Sequence, residues 1–340
     1  MKIFYSETHR RHEPPFEVFD GGLRTPYLEN SDRMDRILNS LKNTAWAEIL
    51  EPTDFGLEPI YEVHDKEYMD FLASCWTEWL DTDPQDPSVL LPATFALRRH
   101  PQKPASLLGR AGYYMMDLSA CIVEGTFQAA LASANCALSA AQSLVDGQWS
   151  TFALCRPPGH HAGKDYAAGY CFINNASVAA NWLSSKGKVA LLDIDYHCGN
   201  GTQDIFYDRD DVLTISLHAD PNDEYPYYAG YANETGTGKG LGFHKNFPLE
   251  MDTDDEQYLA SLGEALRLIR KFEPRYLVLS AGMDIYADDP LGKIKVTTEG
   301  IGEIAKRIAA LDLPTAIIME GGYNNDALGK NIINLLGAFR

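Results

Sequence analysis

The chain has 340 residues, of which 45% are hydrophobic, and its formal net charge is −19 at pH 7. Nucleic acids and anionic membranes are bound through basic patches, so this charge argues against both as partners; it suits a cationic substrate, or serves solubility alone. The sequence contains no run of 18 apolar residues, so no transmembrane helix is predicted. The first residues show no signal-peptide pattern. We therefore predict a cytoplasmic protein whose cysteines are reduced.

The first 80 residues predict short elements separated by irregular segments. A strand is predicted over residues 2–5 and a helix over 31–43, with Ser31 as its N-cap, because a serine hydroxyl can accept a hydrogen bond from the first turn. Residues 58–63 predict another short strand. Apolar residues at helical spacing predict a helix over residues 66–80.

An irregular excursion is predicted over residues 81–112, which contain five prolines. A loop this long in a compact domain usually has a function or lies at an interface. Beyond it, residues 126–146 predict a long helix, whose many Ala and Ser residues allow close packing against its neighbours.

From Trp149 onward, strand and helix patterns alternate regularly. Near-continuous apolar runs predict strands at 151–155, 188–193, 212–217, 275–280 and 314–319. Helical patterns are found at about 174–185, 255–271, 298–311 and 325–338. This alternation indicates the α/β class, a parallel sheet with helices on both faces, in which ligands gather at the carboxyl ends of the strands.

Four of these predicted strands end in side chains that are suited to catalysis. They are the pair His160-His161, the set Asp193, Asp195 and His197, then Asp284, and finally Tyr323. Any one of these residues, taken alone, is better explained as a turn, cap or core residue than as part of a functional site. Their convergence at one edge of one sheet favours a functional site instead.

Together these side chains suit the metal-assisted hydrolysis of an amide or ester. Asp195, His197 and Asp284 offer one nitrogen and two carboxylates, which leaves a coordination position for water and substrate. Such a set suits Zn²⁺, and Fe²⁺ or Co²⁺ would also fit. The histidine pair provides two candidate bases, and the Tyr323 hydroxyl can stabilise an oxyanion.

The motifs that carry these residues resemble those of the histone deacetylase superfamily, in the same order over nearly the whole chain. The matching segments are RPPGHH (156–161), GYCFINN (169–175), DIDYH (193–197), GNGT (199–202), SLH (216–218), Asp284 with DPLG (289–292), and EGGY (320–323). The resemblance implies an arginase-deacetylase fold, with a central eight-stranded parallel sheet flanked by helices on both faces. It further implies a single catalytic domain over residues 1–340.

The resemblance implies the same three ligands for zinc and divides the roles of the histidines. His161 would be the general base, hydrogen-bonded to Asn200. His160 would pair with Asp193, which favours the charged imidazolium. Tyr323 would donate a hydrogen bond to the scissile carbonyl.

Two further sites are implied by the resemblance. A structural potassium ion is expected near Asp193, Asp195, His197, Ser216 and Leu217, partly through backbone carbonyls. The wall of the acyl tunnel is expected to include Gly169, Tyr170, Tyr225 and Asp117.

The insertion at 81–112 resembles that of the bacterial acetylpolyamine amidohydrolases, where it builds a dimer interface that narrows the active-site entrance. We therefore predict a homodimer formed through this loop. The predicted reaction is hydrolysis of N-acetyl or other short acyl amides of small cationic amines, above all acetylpolyamines, to acetate and free amine.

The chain departs from the family pattern at two places. Cys198 stands where the family usually has a second histidine, and we hypothesise altered local packing and sensitivity to oxidation. Polyamine-specific relatives carry glutamates where Leu108 and Ser119 stand here, and Asp117 is the nearest acid.

Other functions remain open. The same chemistry would serve acyl-lysine in proteins or peptides, and other small acylamines. A binuclear manganese ureohydrolase would need a carboxylate where Gly199 stands. A non-catalytic acyl binder would lack a catalytic residue, yet both histidines and Tyr323 are present.

Overall fold

Parallel strands build the core of this protein, a computed structural model of which describes residues 1–19, 22–96 and 102–340. The strands of the central sheet are β1 (Lys2–Phe4), β4 (Glu48–Leu50), β5 (Ser150–Ala153), β6 (Val189–Asp193), β7 (Val212–Ala219), β8 (His244–Leu249), β9 (Tyr276–Ala281) and β10 (Thr315–Met319). Two others, β2 (Glu17–Phe19) and β3 (Leu23–Thr25), form a separate antiparallel hairpin.

The central sheet has eight strands in the order β4-β1-β5-β10-β9-β6-β7-β8. Every pairing within it is parallel. All residues of β6, β7, β9 and β10 are buried, as expected for strands covered on both faces. The predicted arginase-deacetylase fold, with its eight-stranded parallel sheet between helices, is confirmed.

The helices pack around this sheet and supply the connections between parallel strands. Their bounds are α1 (Asp32–Lys42), α2 (Glu58–Tyr61), α3 (Lys66–Asp81), α4 (Leu107–Tyr114), α5 (Thr126–Val145), α6 (Asn175–Ser184), α7 (Asn200–Phe206), α8 (Asp255–Phe272), α9 (Thr298–Ala309) and α10 (Asn325–Gly337). Helix α5 buries Ala and Ser residues along most of its length, which agrees with the close packing expected from its composition. Within the described residues, no helix is both long and apolar enough to span a bilayer.

Three local predictions are wrong. Residues 58–61 form helix α2 instead of a strand, because Pro59 fits a first helical turn and the Tyr61 amide donates to the Leu57 carbonyl at 2.9 Å. The excursion at 81–112 is not irregular throughout: its end forms α4, where the Ser106 hydroxyl accepts a bond from the Gly109 amide. Residues 97–101 of that excursion lie outside the described residues.

The third is the cap of α1, which is right in position and wrong in its hydrogen bond. Ser31 stands just before the helix, but its backbone is already helical, at φ −67° and ψ −22°, and its hydroxyl makes no capping hydrogen bond. A capping serine normally has an extended backbone, which aims the side chain at the free amides.

A buried network ties the N-terminal region to the turn after β10. Arg33 donates to the carbonyl oxygens of Gly322 and Glu320, both at 2.7 Å, and to Glu29 Oε1 at 2.6 Å. Arg156 donates to the same Glu29 oxygen at 3.1 Å. Arg33, Glu29 and Arg156 are fully or almost fully buried, and the Glu29 carboxylate pairs with both guanidinium groups.

Replacing Arg33 with methionine should lower the free energy of unfolding by about 3 kcal/mol, because it strips donors from a buried carboxylate and two carbonyls. The measurement is denaturant unfolding of the full chain. Arg307→Met is the matched control, since Arg307 makes an exposed pair with Glu303 at the same i,i+4 spacing as Glu29 and Arg33. That control should cost no more than about 1 kcal/mol, and equal losses in the two variants would contradict the assignment.

Candidate active site

The three predicted metal ligands meet at the carboxyl end of the sheet. Strand β6 pairs with β9, with Asp193 opposite Ser280, so the residues just beyond both strands come together. One ligand atom from each of Asp195, His197 and Asp284 lies within 4.8 Å of the others. His197 Nδ1 lies 3.4 Å from Asp195 Oδ1 and 3.2 Å from Asp284 Oδ2.

The donor set fits a divalent cation. Asp195 and Asp284 are completely buried, and two carboxylates at this separation repel each other. Burial and then the negative charge of Asp195 raise the pKa of Asp284 to about 7. A bound cation would offset this repulsion, and one imidazole with two carboxylates matches the ligands that zinc takes at catalytic sites.

Gly321 allows the backbone to pass directly beside these ligands. Its amide donates to Asp195 Oδ2 at 2.9 Å. A Cβ atom at Gly321 would lie 2.4 Å from Asp284 Oδ2 and 2.7 Å from Asp195 Oδ2. Only glycine therefore fits at this point.

The histidine pair that follows β5 lies beside the ligand cluster, and each ring has its own partner. His160 Nδ1 donates to Asp193 Oδ2 at 3.0 Å, and its Nε2 lies 3.6 Å from Asp195 Oδ1. His161 Nδ1 donates to Asn200 Oδ1 at 2.7 Å. This bond places the His161 proton on Nδ1 and leaves the Nε2 lone pair available as a base.

The environment drives the pKa values of the two histidines apart. Burial alone would lower the pKa of His160, but the carboxylates of Asp195 and Asp193 raise it to about 10. Burial and the positive charge of His160 hold the pKa of His161 well below its usual value. The pair thus combines a charged imidazolium with a neutral imidazole, which is the division of roles that an acid-base site needs.

A cavity of about 520 Å³ leads to these groups, and Tyr323 forms part of its wall. Burial raises the pKa of Tyr323, so its hydroxyl stays protonated and can donate a hydrogen bond. The Tyr323 ring lies 5.8 Å from the Tyr170 ring, and the Tyr225 ring lies 4.9 Å from the His161 ring. An apolar, aromatic passage thus ends at a base, a hydrogen-bond donor and a metal-binding cluster.

Known proteins resemble this chain over its full length. The histone deacetylase domain matches residues 27–339. The chain belongs to the histone deacetylase family. This membership confirms the predicted class of enzyme, a deacetylase.

Several relatives within the histone deacetylase family share a more specific name. Acetylpolyamine amidohydrolase 1 of Pseudomonas aeruginosa is 44% identical, with 100% of this chain and 99% of that protein covered. The acetylpolyamine amidohydrolase of Mycoplana ramosa is 39% identical, with 99% and 98% covered. A crystal structure of the acetylpolyamine aminohydrolase of Burkholderia pseudomallei superposes with a TM-score of 0.96 at 39% identity, covering 100% of this chain and 98% of that one.

The tunnel residues expected for a histone deacetylase fall into two groups. Gly169, Tyr170 and Tyr225 line the cavity, whereas Asp117 does not. Asp117 lies behind the wall, where its Oδ2 accepts hydrogen bonds from the Tyr225 hydroxyl at 2.6 Å and the Gly169 amide at 2.9 Å. Its carboxylate therefore holds Tyr225 and Gly169 in the wall. Ser119, two residues further along the chain, lines the cavity itself.

The residues expected around potassium lie next to the ligand cluster. Asp193 stands opposite Ser216 in the pairing of β6 with β7, and both are buried. The amide of Asp195 donates to Asp193 Oδ1 at 3.0 Å. Leu217 is the next residue of β7 and is also buried.

Two carboxylates that sequence reasoning gave no role support the catalytic groups. Glu320 Oε2 accepts from the amides of Gly159 at 2.7 Å and His160 at 3.2 Å, and so fixes the turn that carries the histidine pair. Asp289 Oδ2 accepts from the amide of Tyr323 at 2.6 Å. Both residues lie in the family motifs, which could have singled them out as functional. Their hydrogen-bond partners are distant in sequence and could not be read from the motifs.

Cys198 is buried beside the ligand cluster and contacts the loop around Gly230. A Cβ atom at Gly230 would lie 3.0 Å from the Cys198 sulfur, so the thiol fills its space closely. Burial raises the pKa of this thiol, which keeps it protonated and weakly nucleophilic. These observations argue against the oxidation hypothesis, whereas altered packing at Cys198 stays a prediction.

Hydrogen peroxide at concentrations that oxidise exposed thiols should leave the deacetylase activity unchanged within about twofold, because the buried thiol forms little thiolate. Activity after timed exposure is the measurement, with Cys198→Ser as the control. A loss of activity that occurs in the wild type and is absent in the serine variant would restore the oxidation hypothesis.

Proposed function

We propose that this chain is a zinc-dependent amidohydrolase that removes acetyl or other short acyl groups from small cationic amines, above all acetylpolyamines. The observation that carries the proposal is the convergence of the three-ligand cluster, the neutral base His161 and the donor Tyr323 at the end of one aromatic cavity. Relatives named acetylpolyamine amidohydrolases match across the full chain, which supports the choice of substrate.

The geometry of the site supports the following roles. Asp195, His197 and Asp284 would hold the zinc ion, which would serve as a Lewis acid that polarises a carbonyl and acidifies water. His161 Nε2 accepts the proton of the attacking water and returns it to the leaving nitrogen. The Tyr323 hydroxyl donates to the carbonyl oxygen as negative charge develops on it, and the His160 imidazolium adds positive charge beside the ligand cluster.

The identity of the ions is part of the proposal. The donor set supports Zn²⁺, and Fe²⁺ or Co²⁺ would accept the same ligands. A structural K⁺ at Asp193, Asp195, His197, Ser216 and Leu217 is supported by the adjacency of Asp193 and Ser216 in the sheet. Metal analysis of protein loaded separately with each ion, followed by activity measurements, would distinguish these assignments.

An activity panel on the metal-loaded chain tests the substrate. Acetylputrescine, acetylspermidine, acetylcadaverine, acetyl-lysine peptides and longer acylamines would be compared by kcat/KM. We expect the acetylated polyamines to be preferred. A preference for peptides would instead support the alternative, a deacylase of acyl-lysine.

A ureohydrolase is disfavoured by Gly199. A Cβ atom there would lie 2.4 Å from Asp193 Oδ2, so the position has no space for the additional carboxylate that a second metal needs. Among the described residues, the only group of this kind is the three-ligand cluster.

We further propose that the chain is a single catalytic domain that forms a homodimer through residues 81–112. Large apolar side chains are exposed there and beside it: Leu80 at 46%, Phe95 at 41% and Leu108 at 42%. Burial of such side chains between two copies would remove them from water. Light scattering of the wild type and of Leu108→Glu tests this, with a monomer expected only for the variant.

The proposed place of action is the cytoplasm. All six cysteines are free and buried, which agrees with a reducing compartment. We also keep the prediction that neither nucleic acid nor a membrane is a partner, on the basis of the net charge of −19.

A further inference from the structure

The wall of the active-site cavity carries one pair of opposite charges. Among the described residues that line it, Glu224 is the only carboxylate and Lys293 the only ammonium, and the two form an ion pair. Glu224 directly precedes Tyr225, whose ring lies 4.9 Å from the ring of His161. The carboxylate therefore lies on the approach to the general base, one residue from an aromatic part of the wall.

The other carboxylates near this wall are committed to the fold. Asp117 accepts hydrogen bonds from the Tyr225 hydroxyl and the Gly169 amide, as well as from the loop that follows it. Glu17 accepts from the Tyr170 hydroxyl at 2.5 Å, and burial raises the pKa of Glu17 to about 7. Neither group lines the cavity, so neither is placed to meet a cation that enters it.

Glu224 is placed differently, because it lines the cavity and its ion-pair partner Lys293 is largely exposed to solvent. The Glu224 side chain is only 12% exposed, whereas the Lys293 side chain is 56% exposed. A pair with one exposed lysine is weak, because water competes for the ammonium and the long side chain loses rotamer freedom. The ammonium group of another amine could replace that of Lys293, and the Glu224 carboxylate would still be paired with a positive charge.

We infer that Glu224 binds the free ammonium group of the acylated amine and that Lys293 is the resident cation displaced by the substrate. The inference rests on the proposed function and names the side chain that selects cationic over neutral amides. The acyl group would face the metal ligands, the hydrocarbon would lie between Tyr170 and Tyr225, and the distal ammonium would meet Glu224. Lys293 thus holds the place of the substrate amine in the free protein.

The test compares two amides that differ only in the terminal charge. N-acetylputrescine ends in an ammonium, and N-pentylacetamide has a methyl group in its place. The ratio of their kcat/KM values on the zinc-loaded full chain measures recognition of the charge. Glu224→Gln should lower this ratio about fivefold, mainly through the KM of acetylputrescine, since a fivefold change corresponds to the loss of one partly shielded ion pair.

Two further variants control the test. Asp223→Asn removes the same charge from the neighbouring exposed residue, which does not line the cavity, and should leave the ratio within about twofold. Lys293→Met retains the aliphatic stem and removes the competitor, so kcat/KM for acetylputrescine should rise about threefold. In a Glu224→Gln background this rise should disappear.

Different results would overturn the inference and the proposed function. If Glu224→Gln leaves the ratio unchanged, or lowers both kcat/KM values equally, Glu224 does not recognise the ammonium, although acetylputrescine remains a substrate. If the wild type hydrolyses neither amide, the proposed function fails, and the inference fails with it.

Discussion

Replacing Tyr323 by phenylalanine should lower kcat by about 10²- to 10³-fold, because it removes the hydroxyl that donates to the developing oxyanion. The backbone of Tyr323 is held by Asp289, and its ring packs near Tyr170 and the Arg33 guanidinium, whose carbon lies 4.9 Å from the ring centroid. These contacts do not involve the hydroxyl, so the variant should fold and bind zinc as the wild type does. Steady-state kinetics and metal content are the measurements.

Tyr228→Phe is the matched control, since Tyr228 is 88% exposed and does not line the active-site cavity. Its kcat should stay within about twofold of the wild-type value. If Tyr323→Phe retains zinc and more than a tenth of the wild-type kcat, the hydroxyl is not the main oxyanion donor. A loss of zinc would instead reveal a structural role for the phenol.

The second large effect is expected at His161, where replacement by alanine should lower kcat by about 10²- to 10⁴-fold through loss of the general base. The pH dependence provides an independent readout. Burial and the charge of His160 hold the pKa of His161 below its usual value, so this base stays neutral as the pH falls to 6.5. The acidic limb of kcat/KM should therefore lie below pH 6.5 in the wild type.

The pKa of His160 should set the alkaline limb of the pH dependence of kcat/KM. Its pKa of about 10 keeps the imidazolium charged at neutral pH, and the rate should decline only as the pH approaches that value. Zinc content and the unfolding midpoint of His161→Ala serve as controls for folding. A kcat within tenfold of the wild type, in a variant that is folded and fully loaded, would remove His161 from the role of base.

The sheet and the convergence of the candidate site residues could be predicted because their signals are local. Asp195, His197 and Asp284 each come just after a continuous apolar strand, and parallel strands bring their carboxyl ends to one edge. The chain order of the motifs was then sufficient to predict the fold. Strand β8, by contrast, contains Lys245 and Pro248 and lies at the edge of the sheet, so it has no apolar pattern to predict it.

The rest of the site depends on contacts between segments that are far apart in the chain. Glu320 reaches the turn at Gly159 and His160, which are about half the chain away, and nothing in the local sequence specifies that bond. Glu224 lies in an irregular loop between β7 and β8, and it pairs with Lys293, a residue far away in the chain. Asp117 was expected to face the cavity, yet hydrogen bonds from five donors hold it behind the wall.

Strand β10 is the last strand of the chain and yet lies in the middle of the sheet, between β5 and β9. Until residues 315–319 leave the ribosome, the strands can form only two separate halves, β4-β1-β5 and β9-β6-β7-β8. The second half already carries Asp195, His197 and Asp284, whereas the histidine pair follows β5 in the first half. We therefore expect a nascent chain to gather its metal ligands early and to acquire catalysis only when the final strand joins the halves and brings Tyr323 into place.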